Sequence, residues 1–158
     1  MLGALMFCSK IIMEALPNIH LIGMLTMVCT VVFRKKALIP LYLFVILNGI
    51  FSGFDIWWWP YTYIWTVLWG VTMLIPKNLP ERAKRVVYPA VCMLHGLLYG
   101  TLYAPFQALA FGLDFKGTTA WIIAGLPFDA IHAAGNFALG LFILPLSDLL
   151  KKITADIE

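Results

Sequence analysis

Six long apolar stretches, separated by short polar segments, dominate the pattern of the chain. Apolar runs of this length, with no turn signals inside them, predict helices, because a segment that crosses lipid must satisfy its own backbone hydrogen bonds. The runs cover approximately residues 1–16, 19–33, 37–54, 57–75, 86–111 and 119–147.

The composition indicates that these helices lie in lipid. Of the 158 residues 62% are hydrophobic and 12% are charged, whereas soluble domains are usually about 45–50% apolar and about 25% charged. The sequence therefore predicts an all-α integral membrane bundle of six transmembrane helices. Residues 1–150 form a single membrane domain in this prediction, and residues 151–158 form a charged cytoplasmic tail.

The positions of the basic residues predict an orientation. Two predicted spans separate each basic cluster from the next, so all the clusters face one side, which by the positive-inside rule is the cytoplasm. Both termini are then cytoplasmic, and the expected location is the plasma membrane of a prokaryotic cell, with several passes. Nine of the eleven Lys and Arg residues lie in these clusters: Arg34, Lys35 and Lys36; Lys77, Arg82, Lys84 and Arg85; Lys151 and Lys152.

The first 33 residues fit a membrane less easily than the rest. One unbroken helix over them would be about 50 Å long, too long for a hydrocarbon core of about 30 Å. Pro17 disfavours helical geometry at Leu16. We therefore expect two short helices with an outer turn from Pro17 to His20.

Small residues recur at four-residue steps in the fifth predicted span. Such a ladder lets a neighbouring helix approach closely. It favours packing inside the bundle, with a partner-subunit face as the alternative. Its members are Cys92, Gly96, Gly100, Ala104 and Ala108.

Polar residues inside the last span are the strongest candidates for binding chemistry. Asp129, His132 and Asn136 share one helix face, and polar groups within a span are costly unless they serve a purpose. One interpretation is that they bind a polar heterocycle through hydrogen bonds. The alternative is an interhelical network that holds the bundle together.

Aromatic residues open the fourth span, in the segment Trp57 to Trp65. An aromatic belt at the headgroup level explains part of this segment, and an inward aromatic row could instead stack on a flat ligand. Polar and aromatic residues of several spans converge on the outer half and suggest a pocket open to the outside. The residues predicted to line it are Asn18, His20, Asp55, Trp58, Trp65, Tyr103, Gln107, Asp129, His132 and Asn136.

Enzyme classes find little support in the sequence. It has no GxSxG elbow, no HExxH motif and no P-loop, and its three cysteines show no paired spacing. We therefore expect no catalytic residues, no metal and no cofactor. The net charge of +3 does not argue for nucleic acid, so we expect no nucleic-acid partner. A small membrane enzyme built on Asp129 and His132 stays open as a minor alternative.

Two segments resemble the S components of energy-coupling factor (ECF) transporters, small membrane proteins that bind vitamins or their precursors. They are Leu16-Pro17-Asn18-Ile19-His20 and the run Gly125-Leu-Pro-Phe-Asp129-Ala-Ile-His132-Ala-Ala-Gly-Asn136. The six-span plan with both ends inside is also similar. The resemblance implies an outer ligand pocket that Asp129, His132 and Asn136 touch and that the turn around Asn18 and His20 caps.

The resemblance also implies partners, namely a transmembrane coupling subunit and two ABC-type ATPases. Members of that family carry an alanine-x-x-x-alanine pattern in the first helix that contacts the coupling subunit. Here the nearest match is Ala4-Leu-Met-Phe-Cys8, whose small residues still allow close approach. The predicted function is the substrate-binding subunit of an ATP-driven importer for a vitamin-like heterocycle. The alternative is a stand-alone facilitator or channel for a small solute.

Overall fold

The computed structural model describes residues 1–16 and 18–155, and its regular structure is helical throughout that part of the chain. Short 3₁₀ turns extend or join several of the helices. The α-helices of the described residues are α1 (Leu2–Ile12), α2 (Ile22–Phe33), α3 (Leu38–Ser52), α4 (Tyr61–Leu74), α5 (Glu81–Leu97), α6 (Tyr99–Phe111), α7 (Phe115–Gly140) and α8 (Ile143–Ala155).

Among the described residues, two helical segments are long and apolar enough to cross a membrane. The first is Glu81–Phe111, in which α5 and α6 meet at Leu98, and the second is α7. The helices α1 to α4 have 11 to 15 residues, or about 16 to 23 Å at 1.5 Å per residue. Each of them is shorter than the hydrocarbon core of about 30 Å. The all-helical class is confirmed, and the six-span topology stays a prediction.

The beginning of the chain contains two separate helices, as the sequence predicts. α1 continues into a 3₁₀ turn, Met13–Ala15, and Asn18 has a φ of 62° before α2 begins. Pro17, which the sequence places in this turn, lies outside the described residues. At the other end residues 151–155 of the predicted tail continue α8, and residues 156–158 lie outside the described part.

The ladder of small residues packs inside the bundle. A Cβ atom on Gly96 would lie 2.8 Å from the His132 carbonyl oxygen, and one on Gly100 would lie 2.6 Å from a carboxylate oxygen of Asp129. Cys92 and Ala104 are buried, and Ala108 is half-buried. The ladder therefore lets α5 and α6 approach α7 closely, which confirms the packing interpretation.

Large apolar side chains cover much of the outer surface. Phe115 is 88% exposed, Leu109 85% and Leu74 82%. Within the most apolar windows of the two long helices, only 33% and 22% of the residues are buried. The apolar residues of these two helices therefore lie mainly on the outside of the bundle.

Candidate functional site

All three histidines of the chain meet at one place, although they are far apart in sequence. His20 precedes α2, His95 lies in α5 and His132 lies in α7. The ring centroids of His20 and His132 are 5.3 Å apart. Trp65 joins them, with its ring 5.6 Å from His20 and 5.5 Å from His95.

Tyr99 completes the group. Its ring stacks on His132 with 4.8 Å between centroids and an interplanar angle of 25°, and it lies 6.0 Å from the ring of Trp65. We refer to His20, Trp65, His95, Tyr99 and His132 as the histidine–aromatic cluster. The other ring pairs of the cluster are tilted or edge-on, so a planar ligand would stack on one of these rings only where a neighbouring ring moves away.

The close approach of the helices brings His132 into this cluster. Gly96 has no side chain, so the backbone of α7 can lie against α5 at His132. His95 and Tyr99 are four residues apart on either side of the break at Leu98. Trp65 comes from the first half of α4 and is 1% exposed. Four segments of the chain therefore contribute to one cluster, in which Trp65, His95 and His132 are buried and the other two rings are half-buried.

Several nitrogen atoms of the cluster are buried without a hydrogen-bond partner. They are Nδ1 of His20, His95 and His132 and Nε1 of Trp65. A buried polar group without a partner costs about 1–3 kcal/mol, so native proteins rarely leave several of them together. The cluster therefore has hydrogen-bonding capacity to offer to a ligand.

The hydrogen bond of His95 indicates which nitrogen atoms of the cluster can donate a hydrogen bond and which can accept one. Its Nε2 lies 3.1 Å from the carbonyl oxygen of Ile64, which can only accept, so Nε2–H donates. In a neutral imidazole the other nitrogen then accepts. Since the indole N–H of Trp65 can only donate, the cluster presents both an acceptor and a donor.

Asp129 and Asn136, the two polar neighbours of His132 on α7, have partners. The carboxylate of Asp129 accepts from the backbone N–H of Gly100, with Oδ1 at 3.0 Å and Oδ2 at 3.2 Å. Gly100 lies in the first turn of α6, where N–H groups lack partners within the helix. The Asn136 amide donates to the Cys92 carbonyl at 3.1 Å. These two bonds are of the interhelical kind that the alternative interpretation describes.

The predicted aromatic residues outside the cluster also have backbone partners. Trp58 donates its indole N–H to the Val45 carbonyl at 2.8 Å. Tyr103 donates its hydroxyl to the Trp57 carbonyl at 3.2 Å, and its ring stacks at 5.9 Å on that of Trp121.

The polar residues predicted at the rim are spread more widely. Asp55 is exposed and accepts from the N–H of Ile56, so it caps a 3₁₀ turn. Gln107 is half-buried in α6. Asn18 lies in the turn beside His20. Of the ten residues predicted to line the site, the structure brings His20, Trp65 and His132 together in the cluster.

A small cavity lies next to the cluster. Its volume is about 170 Å³, and its lining includes Lys10, Glu14, Asn18 and His20. Ligand sites are usually about 300–1,000 Å³, so this cavity is smaller than a usual ligand site. Since His20 belongs both to this lining and to the cluster, the turn covers the cluster on that side.

The electrostatic environment keeps His20 neutral. Burial, followed by the charge of His132, lowers the pKa of His20 from 6.5 to about 4, and His95 and Lys10 add to the shift. A neutral imidazole can donate and accept, so near neutral pH His20 can donate a hydrogen bond to a heterocycle or accept one from it.

Sequence reasoning misses two members of the cluster. By sequence alone His95 is best interpreted as a packed core histidine, and Tyr99 is a weaker candidate than the residues predicted to line the pocket. The available signal is their spacing of four residues, which places both on one helix face. Nothing in the sequence indicates that this face points toward Trp65 and His132.

The described residues contain no group of three or more His, Cys, Asp or Glu side chains placed to hold a metal ion. The chain matches no protein-family profile, no curated protein sequence and no solved structure. The function is therefore inferred from the residues of the cluster.

Proposed function

We propose that this chain is a small multi-pass membrane protein that captures a heterocyclic solute at the histidine–aromatic cluster. In this proposal it is the substrate-binding subunit of an ATP-driven importer similar to the S components of ECF transporters. Its ligand is a water-soluble vitamin, a vitamin precursor or a related heterocycle. It binds from the outside, and both ends of the chain lie in the cytoplasm.

The exposed apolar surface supports the placement in a membrane. Soluble monomers rarely expose contiguous apolar patches of more than a few hundred Å², and the two long helices are apolar mainly on their outer sides. Spans shorter than the bilayer core can be accommodated by thinning of the bilayer. This allows α1 to α4 to act as the four remaining spans of the proposal.

The single observation that carries the binding proposal is the set of four unpartnered nitrogens in the cluster. A heterocycle with donor and acceptor atoms along one edge would satisfy them and stack on the same rings. No lysine or arginine belongs to the cluster, which disfavours a phosphorylated ligand. Lys10 lies outside it, 6.0 Å from the ring of Trp57.

The turn that contains His20 provides the route of entry in this proposal. It separates the cavity of about 170 Å³ from the buried rings. Opening this turn exposes the cluster to the outside, and closing it over a ligand removes the ligand from water. In this proposal the closed state is the one in which His20 packs against Trp65 and His132.

The coupling to ATP hydrolysis rests on the resemblance to S components. Ala4 and Cys8 are four residues apart in α1, and both are exposed. Their neighbours Met6 and Phe7 are buried. A helix of a coupling subunit could lie against this small-residue face, and two ABC-type ATPases would supply the energy.

Native mass spectrometry of the protein, purified gently in detergent, tests the binding proposal. We expect a monomer that carries one small molecule. Trp65→Phe removes an unpartnered N–H and should weaken retention of that molecule about tenfold or more. Because Trp65 is buried, the smaller ring should also lower the stability of the protein.

Trp69→Phe is the matched control, on the same helix and one turn further. The Trp69 indole N–H donates to the Arg34 carbonyl at 3.1 Å, so its loss should lower stability by about 0.5–1.5 kcal/mol and leave the small molecule bound. An empty, stable oligomer would contradict the proposal and favour the facilitator or channel. Equal retention by the wild type and Trp65→Phe would remove Trp65 from the site.

A further inference from the structure

A second cavity lies at the opposite end of the bundle from the histidine–aromatic cluster. It has a volume of about 240 Å³ and lies among the ends of α2, α4, α5 and α8. Four cationic residues line it: Arg34, Lys77, Lys84 and Lys151. They come from four different segments of the chain, so the tertiary structure assembles this charge.

Arg34 is held in place by two hydrogen bonds. Its guanidinium donates to the Met73 carbonyl at 2.7 Å, and its own carbonyl accepts from the Trp69 indole at 3.1 Å. Its φ is 53°, a conformation that residues with a side chain adopt at a cost. A guanidinium has five N–H donors, so most of them stay free while the residue is fixed beside the cavity.

Little negative charge balances these cations. Within the described residues the one ion pair joins Lys151 to Asp148 at 2.9 Å. No carboxylate of that part of the chain lines this cavity. Glu81 and Asp148 line the neighbouring cavity, which shares Lys84. The three other cations, Arg34, Lys77 and Lys84, have no ion-pair partner among the described residues, so they repel one another, and an anion between them relieves that repulsion.

The walls of the cavity identify the kind of anion. Val31, Val32, Ile75 and Leu144 form an apolar side of the lining. Leu74, next to Ile75 in the chain, is 82% exposed on the outer surface. A cationic pocket whose lining is partly apolar suits a molecule with a phosphate head and a hydrocarbon tail better than a free phosphate.

We infer that this cavity binds the phosphate of an anionic glycerophospholipid, whose acyl chains lie along the apolar surface near Leu74. This inference rests on the membrane placement in the proposed function, but not on the ligand of the cluster. A lipid held here would fix the cytoplasmic ends of the helices that converge on the cavity.

The test is native mass spectrometry in detergent with phosphatidylglycerol, with phosphatidylcholine of the same acyl chains, and with inorganic phosphate as a competitor. We expect one phosphatidylglycerol per chain and much weaker binding of phosphatidylcholine. Inorganic phosphate at millimolar concentration should not displace the lipid. The double variant Lys77→Gln/Lys84→Gln should lose phosphatidylglycerol affinity about tenfold or more.

Lys35→Gln/Lys36→Gln is the matched control, since it removes the same charge at the same end from residues outside this cavity. It should leave phosphatidylglycerol binding unchanged. Equal losses in the two double variants would mean diffuse surface attraction and would overturn the inference. Equal binding of the two lipids, or displacement by inorganic phosphate, would overturn it as well.

A further comparison separates this inference from the proposed function. The Lys77→Gln/Lys84→Gln variant should keep the small molecule of the cluster, and Trp65→Phe should keep phosphatidylglycerol. If wild-type chain extracted from membranes carries its small molecule but shows no preference for phosphatidylglycerol, only the lipid site fails. If the chain is not recovered from membranes, both proposals fail.

Discussion

At the scale of single residues, neighbours on one face of α7 have different roles. Asp129 and Asn136 each bond a backbone group of the adjacent α5–α6 segment, whereas Nδ1 of His132 has no partner. The difference arises from what each side chain meets: a free N–H at the start of α6, a carbonyl of α5, or the rings of the cluster. In the proposed function His132 is therefore the first candidate to bind the ligand, and the bonds of Asp129 and Asn136 hold α7 against the α5–α6 segment.

Asp129 can be tested through the hydrogen bond that it makes. Asp129→Leu leaves the buried N–H of Gly100 without a partner and should lower the stability of the protein by about 1–3 kcal/mol. Asp129→Asn keeps an oxygen that accepts and should cost much less. Thermal unfolding in detergent measures both variants, and equal stabilities would show that the bond contributes nothing.

Replacement of His132, unlike that of Asp129, should affect ligand binding more than stability. His132→Phe keeps a ring to stack on Tyr99 and removes both nitrogens, so binding of the co-purified molecule should weaken by about 1–3 kcal/mol while the unfolding temperature changes little. Titration of the molecule identified by mass spectrometry measures the affinity. Unchanged affinity in a folded variant would exclude His132 from the site.

His20 predicts a dependence of stability on pH. Its pKa is about 4 in the folded protein and near 6.5 without the surrounding structure, so between these values the unfolded chain binds more protons. Its contribution to stability is therefore complete above about pH 6.5 and decreases as the pH falls toward 4. The unfolding temperature should fall over this range in the wild type and fall less in His20→Gln. Parallel profiles would contradict this account.

At the scale of helices, close approach between α5 and α7 depends on glycine. Gly96 faces the backbone of α7, which cannot move aside as a flexible side chain can. A Cβ atom on Gly125, in the middle of α7, would meet no side chain or neighbouring helix of the described residues within 4 Å. A glycine-to-alanine substitution should therefore destabilise the protein at position 96 and stabilise it at position 125.

Gly96→Ala should disrupt the α5–α7 contact and reduce the yield of folded protein. Gly125→Ala should preserve the yield and stabilise α7 by about 0.5–1 kcal/mol, because alanine favours the helix over glycine. Size-exclusion profiles and unfolding temperatures in detergent provide the comparison. A normal yield for Gly96→Ala would mean that the two helices pack less tightly than the structure shows.

At the scale of the whole molecule, two charge-rich or polar sites occupy opposite ends of an apolar bundle. The histidine–aromatic cluster lies toward the turn before α2, and the basic cavity lies where α2 and α4 end. In the proposed orientation the first faces the outside and the second the cytoplasm. The topology is therefore the prediction that connects both proposals.

Single-cysteine labelling on intact cells tests that topology. With Cys8, Cys29 and Cys92 replaced by Ser, Lys116→Cys should react with a membrane-impermeant maleimide from outside. Lys35→Cys should react only after permeabilisation, since an odd number of spans separates it from position 116 in the six-span plan. Labelling of both positions under the same condition would contradict six spans.

The sequence by itself determined the helical class and favoured inward packing of the small-residue ladder. Long apolar runs and four-residue spacing are local properties, and each helix must satisfy its own backbone whatever it packs against. The spacing along the sequence also placed Asp129, His132 and Asn136 on one face of α7. The number of spans does not follow in the same way, because helix length depends on where turns such as Leu98 and Leu141 interrupt the apolar runs.

Only the tertiary structure decided which polar groups have partners. Spacing along one helix indicates which side chains share a face, but a hydrogen bond depends on the free backbone group that a second helix brings to that face. Gly100 offers such a group to Asp129, and no group of a second helix bonds Nδ1 of His132. The meeting of His20, His95 and His132 likewise depends on how α5 and α7 approach, which is a property of the packed bundle.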